Sequence, residues 1–184
     1  VPGILAFEQD AEFRVRGAER RAGTSLFSTL LFLEAVMLRN VGAVIAGLFV
    51  GMALNMALIM VNLIPFPMPE GVSMQDQEAF SAWASTLPDT AFILPMVAHL
   101  AQAFFGGWVA ARLGASSPKP DRYPLREGPL GLAMIVGVLS LVGGIMNAVS
   151  LEIPTWMWIE MPFYLVLAWM AGNIEVKRRA ALAG

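Results

Sequence analysis

The chain has 184 residues, 57% of them hydrophobic and only 14% charged. That balance excludes disorder and most soluble globular domains, which carry roughly 25% charged residues. It also excludes a porin-like barrel, whose strands alternate polar and apolar residues. There are no cysteines and one histidine. Disulfides, thiolate metal sites and thiol nucleophiles are thereby excluded, and so is a bis-histidine haem within one chain. The formal charge of -2 carries no information until the charges are placed along the chain.

Residues 1–25 are polar and mixed in charge, and read as a solvated or partner-bound arm. The chain begins at Val1 without an initiator methionine, which suggests processing or trimming upstream. Leu26–Leu38 is apolar almost all round but falls short of the about 20 residues that cross a bilayer. It reads as an interfacial or partner-buried docking helix, the alternative being an extension of the first span. Residues 1–40 therefore form one region, a bundle follows over 41–174, and a basic tail covers 175–184.

Four apolar runs satisfy the bilayer requirement, at about 41–64, 91–113, 129–151 and 154–174. The fold class expected is an all-α integral membrane protein with a four-helix transmembrane bundle. The 12 Lys and Arg residues fall before the first run, between the second and third, and after the fourth. The two remaining connections carry only acids: Glu70, Asp76, Glu78 and Asp89 in one, Glu152 in the other. The positive-inside rule places both termini on the cytoplasm-equivalent side, and Trp156 and Trp158 then mark the outer interface.

The outer loop opens with a proline-punctuated run, PFPMPEG. Ser73 with Asp76 three residues on resembles a capping box. Phe80, Trp83 and Leu87 then recur at helical spacing, predicting a short amphipathic helix on the outer surface, stopped before Pro88. The inner loop, GASSPKPDRYPLREGP, predicts an irregular connector. A faint repeat relates the two hairpins. The first and third runs end in an asparagine followed by a proline, and the second and fourth carry Pro95 and Pro162 near their outer ends.

Six polar residues interrupt the apolar runs: Asn55, Asn62, His99, Gln102, Asn147 and Glu160. Such groups turn inward and find partners. Counting about 1.5 Å per residue places them in the outer half of the membrane or near its midplane. Interhelical hydrogen bonding that fixes register is one reading. An outward pocket for an ion, a quinone or a chlorophyll-type pigment is the other. His99 with Glu160 is the pair to test, because a carboxylate sets an imidazole's tautomer, and a neutral imidazole suffices as a single axial ligand of a chlorin magnesium. Small residues at four-residue spacing accompany them: Ala43, Gly47 and Gly51 in the first run, Ala103, Gly107 and Ala111 below His99, and Ser140 with Gly144 in the third. These lines predict close helix packing. The 12 methionines read as adaptable packing.

No metalloprotease, serine-elbow, P-loop or dinucleotide-binding motif occurs, so no catalytic residue and no metal ligand set is assigned. No basic patch points to nucleic acid. From about Val41 to Ile174 the chain resembles a group of small four-span bacterial integral membrane proteins. The resemblance rests on PMPEG with DQEAFSAWASTLP, on AHLAQAFFGGWVAARLGA, and on GVLSLVGGIMN with WIEMPFYLVLAWMAGNI. It implies the four-helix topology and no activity. The first 40 residues depart from that group, whose members start almost at the first span.

The function expected is a non-enzymatic accessory subunit of a larger, energy-transducing membrane complex, photosynthetic or respiratory. Its partners would be the lipid bilayer and other subunits, met through residues 1–40 and the transmembrane faces. The location would be a bacterial inner membrane, or a thylakoid or inner mitochondrial membrane if organellar. Two alternatives stay open: a small transporter or ion-conducting homo-oligomer using the His99/Glu160 region, and a pigment- or quinone-binding module.

Overall fold

The computed structural model describes residues 2–115, 128–151 and 153–183, with side chains described within 28–182. Most of the expected inner connector lies outside the described residues. The chain divides into two compact units, Val1–Leu38 and Arg39–Gly184. Among the described residues all regular structure is helical. The α-helices are α1 (Pro2–Asn62), α2 (Gln77–Ala84), α3 (Ile93–Leu113), α4 (Pro129–Ser150) and α5 (Met161–Ala183). Two 3-10 turns, Asp89–Phe92 and Thr155–Glu160, lead into α3 and α5. Three helical stretches are long and apolar enough to cross a membrane: Ser28–Asn62, Asp89–Leu113 and Pro129–Ser150. In α5 the apolar stretch ends sooner, because Glu175, Lys177, Arg178 and Arg179 fall in its last third.

In the first unit most described side chains of α1 are apolar and exposed, with Glu34 the one charge among them. Leu30, Phe32, Met37 and Leu38 each expose 60% or more of their surface. The sequence reading expects a docking helix over Leu26–Leu38 or, alternatively, an extension of the first span; α1 runs unbroken through Leu38 into that span. No proline interrupts Leu38–Val41, and the polar pair there is engaged elsewhere. The Arg39 Nε donates to the Leu113 carbonyl at 3.0 Å, and the Asn40 Oδ1 accepts from the Ala115 N–H at 2.8 Å.

The second unit is an up-and-down arrangement. Arg39 meets the end of α3, while Asn62 meets its beginning by donating to the Ala91 carbonyl at 3.0 Å. Helices α3, α4 and α5 each pack against the other two. The contacts are made by small residues, as the four-residue spacing predicts. Ala98, Ala103, Ala110, Ala111, Ala133 and Ala168 are fully buried. A Cβ on Gly51 would lie 2.7 Å from the Gln102 carbonyl oxygen, and one on Gly106 would lie 2.8 Å from that of Gly47. Helices α1 and α3 thus meet backbone to backbone, which only glycine permits. Below this crossing Ala110, Leu132 and Val136 form an apolar cluster, with Val44 and Leu48 packed on it.

Two expected boundaries move. The cap of α2 is Asp76, whose side chain accepts from the Ala79 N–H at 3.0 Å. Ser73 instead turns on Gln75, whose backbone N–H donates to the Ser73 hydroxyl at 3.2 Å. Both residues can cap, but an N-cap oxygen serves the N–H two or three positions on, and from Asp76 that reach falls on the first true helical turn. The fourth apolar run is not helical from Pro154. Its first residues form the 3-10 turn, and Pro162 takes the second position of α5, where its missing N–H costs nothing. Pro95 sits likewise in the first turn of α3, so the two hairpins share this construction. The Trp156 indole donates to Asp89 at 3.0 Å and ties the two turns together.

Candidate functional site

Glu160 closes the second 3-10 turn and is only 1% exposed. Its Oε1 lies 3.1 Å from the His99 Nδ1 and accepts from the Tyr164 hydroxyl at 3.2 Å. The pairing of His99 with Glu160 expected from the sequence is therefore present. Against a carboxylate oxygen the Nδ1 carries the hydrogen, which leaves the other ring nitrogen as an acceptor. The Glu160 Oε2 is buried with no hydrogen-bond partner. A buried polar atom left unpaired costs about 1–3 kcal/mol, more if charged. The packing that encloses Glu160 thus stabilises a group that by itself destabilises the fold, as is common where a side chain serves function.

Tyr164 is the residue the sequence reading missed. It lies one helical turn after Glu160 and is 1% exposed. Its ring occupies the space that the absent side chain of Gly144 leaves, since a Cβ there would collide with the phenol. The signal was the i, i+4 spacing of Glu160 and Tyr164, hidden by the frequency of tyrosine at membrane interfaces.

One helical turn along α3 from His99, the Gln102 amide donates to the Ser140 hydroxyl at 3.5 Å. These groups line a cleft of about 650 Å³ between α1, α3 and α4, partly roofed by α2. Asn55, His99, Gln102 and Asn147 all line it, so four of the six polar residues singled out in the sequence converge on one space. Tyr164, Ser140, Ser150, Gln75 and Gln77 add to its polar wall, and Met56, Ile59, Phe80 and Met146 supply apolar surface. The volume falls in the range of small-molecule sites, roughly 300–1,000 Å³. Asn62 stands apart. It lines a smaller hollow under α2 of about 90 Å³, together with Phe80, Trp83 and Leu87, and His99 and Asn147 border both spaces. Phe80 and Trp83 meet edge to face at 5.3 Å, as their expected shared face implies.

A second polar cluster sits at the other end. Glu175 is fully buried and accepts from the Arg178 Nε at 2.6 Å and the Arg179 Nε at 2.8 Å, with Arg112 at 3.6 Å. Arg179 also donates to the Ala111 and Gly114 carbonyls at 2.6 and 3.2 Å. Positive charge at a helix C-terminus answers both its unpaired carbonyls and its dipole. The segment expected to be a basic tail is thus an extension of α5 that terminates α3. The Glu-x-x-Arg-Arg spacing was the available signal.

No protein-family model matches the chain, and neither a curated protein nor a solved structure matches it.

Proposed function

We propose that the chain is a four-span membrane bundle serving as a non-enzymatic accessory subunit of a larger membrane assembly. On this reading both termini lie on the cytoplasm-equivalent side, and the host is an energy-transducing complex, photosynthetic or respiratory. The observation that carries it is the excess apolar length of α1. The stretch Ser28–Asn62 rises about 52 Å, against a hydrocarbon core of about 30 Å. Its N-terminal part, including Leu30, Phe32 and Leu38, is uncovered in the single chain. Apolar length beyond the hydrocarbon core needs a further partner to cover it. The fourth span is supported by the apolar run 154–174, whose one carboxylate, Glu160, is turned inside. Purification in mild detergent tests the reading. The chain should leave the membrane at fixed stoichiometry with other subunits, and deletion of residues 1–40 should release it. A chain that purifies alone, stable and without that segment, ends the docking idea.

The cleft favours a second reading, a ligand-binding module of the pigment or quinone kind, for which His99 is the test residue. The transporter reading gains nothing comparable. The polar wall stops at Gln102 and Ser140, and the apolar cluster around Val136 fills the interior beyond.

A further inference from the structure

The polar side chains of the cleft are uncharged amides and hydroxyls with one imidazole. No Lys, Arg, Asp or Glu lines it. Such a wall both donates and accepts hydrogen bonds but offers no counter-charge, so it is unsuited to a phosphate, a carboxylate or an ammonium head group. The polar groups also fall into two sets. His99, Gln102 and Ser140 lie at one end and Asn147, Ser150 and Gln77 toward the other, with the Tyr164 hydroxyl between them against Gly144. Ser140 and Asn147 are two turns apart on one face of α4, a rise of about 10 Å. A ligand that reaches both must carry polar groups on opposite sides of its body, each within hydrogen-bond distance of one set. A six-membered ring with oxygens on opposite carbons has that form. Gly143, between the two sets, has nothing within 4 Å of where a side chain would begin. It leaves open space where a flat ring would lie. The lips of the cleft are soft and apolar: Met56 and Met146 line it and are 46% and 66% exposed. Thioether side chains adapt readily to an apolar guest.

We propose that this cleft holds the head group of an uncharged, lipid-soluble quinone or quinol, with one ring oxygen at the His99–Gln102–Ser140 end and the other at the Asn147 end. The tail leaves between α1 and α4 past the methionines. The buried Glu160 holds the His99 ring from behind, and so orients it toward the ligand oxygen. The proposal rests on the ligand-binding reading of the cleft and is independent of the accessory-subunit reading.

The experiment uses the full chain in detergent micelles, with decylubiquinone as probe and tryptophan quenching or calorimetry as readout. A second titration uses chlorophyllide. Saturable binding of decylubiquinone is expected, with dodecanol failing to compete. Gly143→Leu should abolish binding while leaving thermal stability unchanged or raised, because it fills empty space and removes a helical glycine. Asn147→Leu should weaken binding at least tenfold, and decides the matter if Gly143→Leu does not fold. Decylubiquinone binding unaffected by a folded Gly143→Leu, or by Asn147→Leu, overturns the proposal. Saturable chlorophyllide binding without decylubiquinone binding overturns the quinone assignment and leaves the ligand-binding reading standing. Binding of neither probe overturns both.

Discussion

Replacing Glu175 by glutamine removes the charge at the centre of the arginine cluster while keeping the side chain's shape. The wild-type carboxylate is fully buried and takes three N–H donors, two from Arg178 and one from Arg179. Glutamine keeps one acceptor oxygen, and its NH2 faces guanidinium donors. At least one charge-assisted bond, worth roughly 1.5–3 kcal/mol when dry, is lost, and the others weaken as the acceptor loses its charge. The arginines are not dry. Arg178 is 38% and Arg179 18% exposed, so water recovers part of the loss. The expected cost is about 2–3 kcal/mol, well above the worth of a surface pair. For a chain of this size that corresponds to a fall of about 5–10 °C in apparent Tm. Thermal unfolding of the purified chain in detergent, followed by tryptophan fluorescence, measures it. Lys177→Gln, at an exposed position on the same helix, serves as control and should shift Tm by less than about 1 °C. If Glu175→Gln matches that control, the buried cluster does not hold the end of the bundle.

Two further outcomes follow from the same geometry. Gly51→Leu drives a side chain into the Gln102 backbone at the α1–α3 crossing and should cost at least about 1–3 kcal/mol; an apparent Tm equal to wild type would show that the two helices do not cross there. Tyr164→Phe keeps the ring against Gly144 but removes the hydroxyl that Glu160 accepts, for a loss of about 1 kcal/mol. It should also shift the infrared carboxyl band of Glu160, and an unmoved band would deny the bond.

The site was legible in the sequence for a simple reason. In an apolar run every polar residue is conspicuous, and a fixed rise per residue gives its depth. Asn55, His99 and Gln102 could therefore be placed near one level, with Asn147 shallower, before any packing was known. The partner of His99 was legible for the same reason, Glu160 being the one carboxylate at comparable depth in the apolar runs. Tyr164 was not, because its ring counts as apolar and its hydroxyl acts only once Gly144 gives it room. The ends of elements were harder. Ser73 and Asp76 are both competent caps, and only the backbone decides between them. The Arg39–Asn40 pair reads locally as a boundary, yet its polar groups serve the end of α3, more than 70 residues away. The role of Glu175 was hidden similarly. Its neighbours in sequence look like a solvated basic tail, and its burial depends on where α3 ends.

The link between Arg179 and the last carbonyls of α3 also bears on how the protein is made. A ribosome finishes α3 more than sixty residues before it reaches Arg179. Through that interval the Ala111 and Gly114 carbonyls lack the guanidinium that later serves them, while Arg39 and Asn40, already synthesised, serve the neighbouring Leu113 carbonyl and Ala115 N–H. The first hairpin must therefore wait, partly assembled, for the second to return. A nascent chain arrested before residue 175 would leave that helix end unfinished, and so more open to quality-control proteases than the completed bundle.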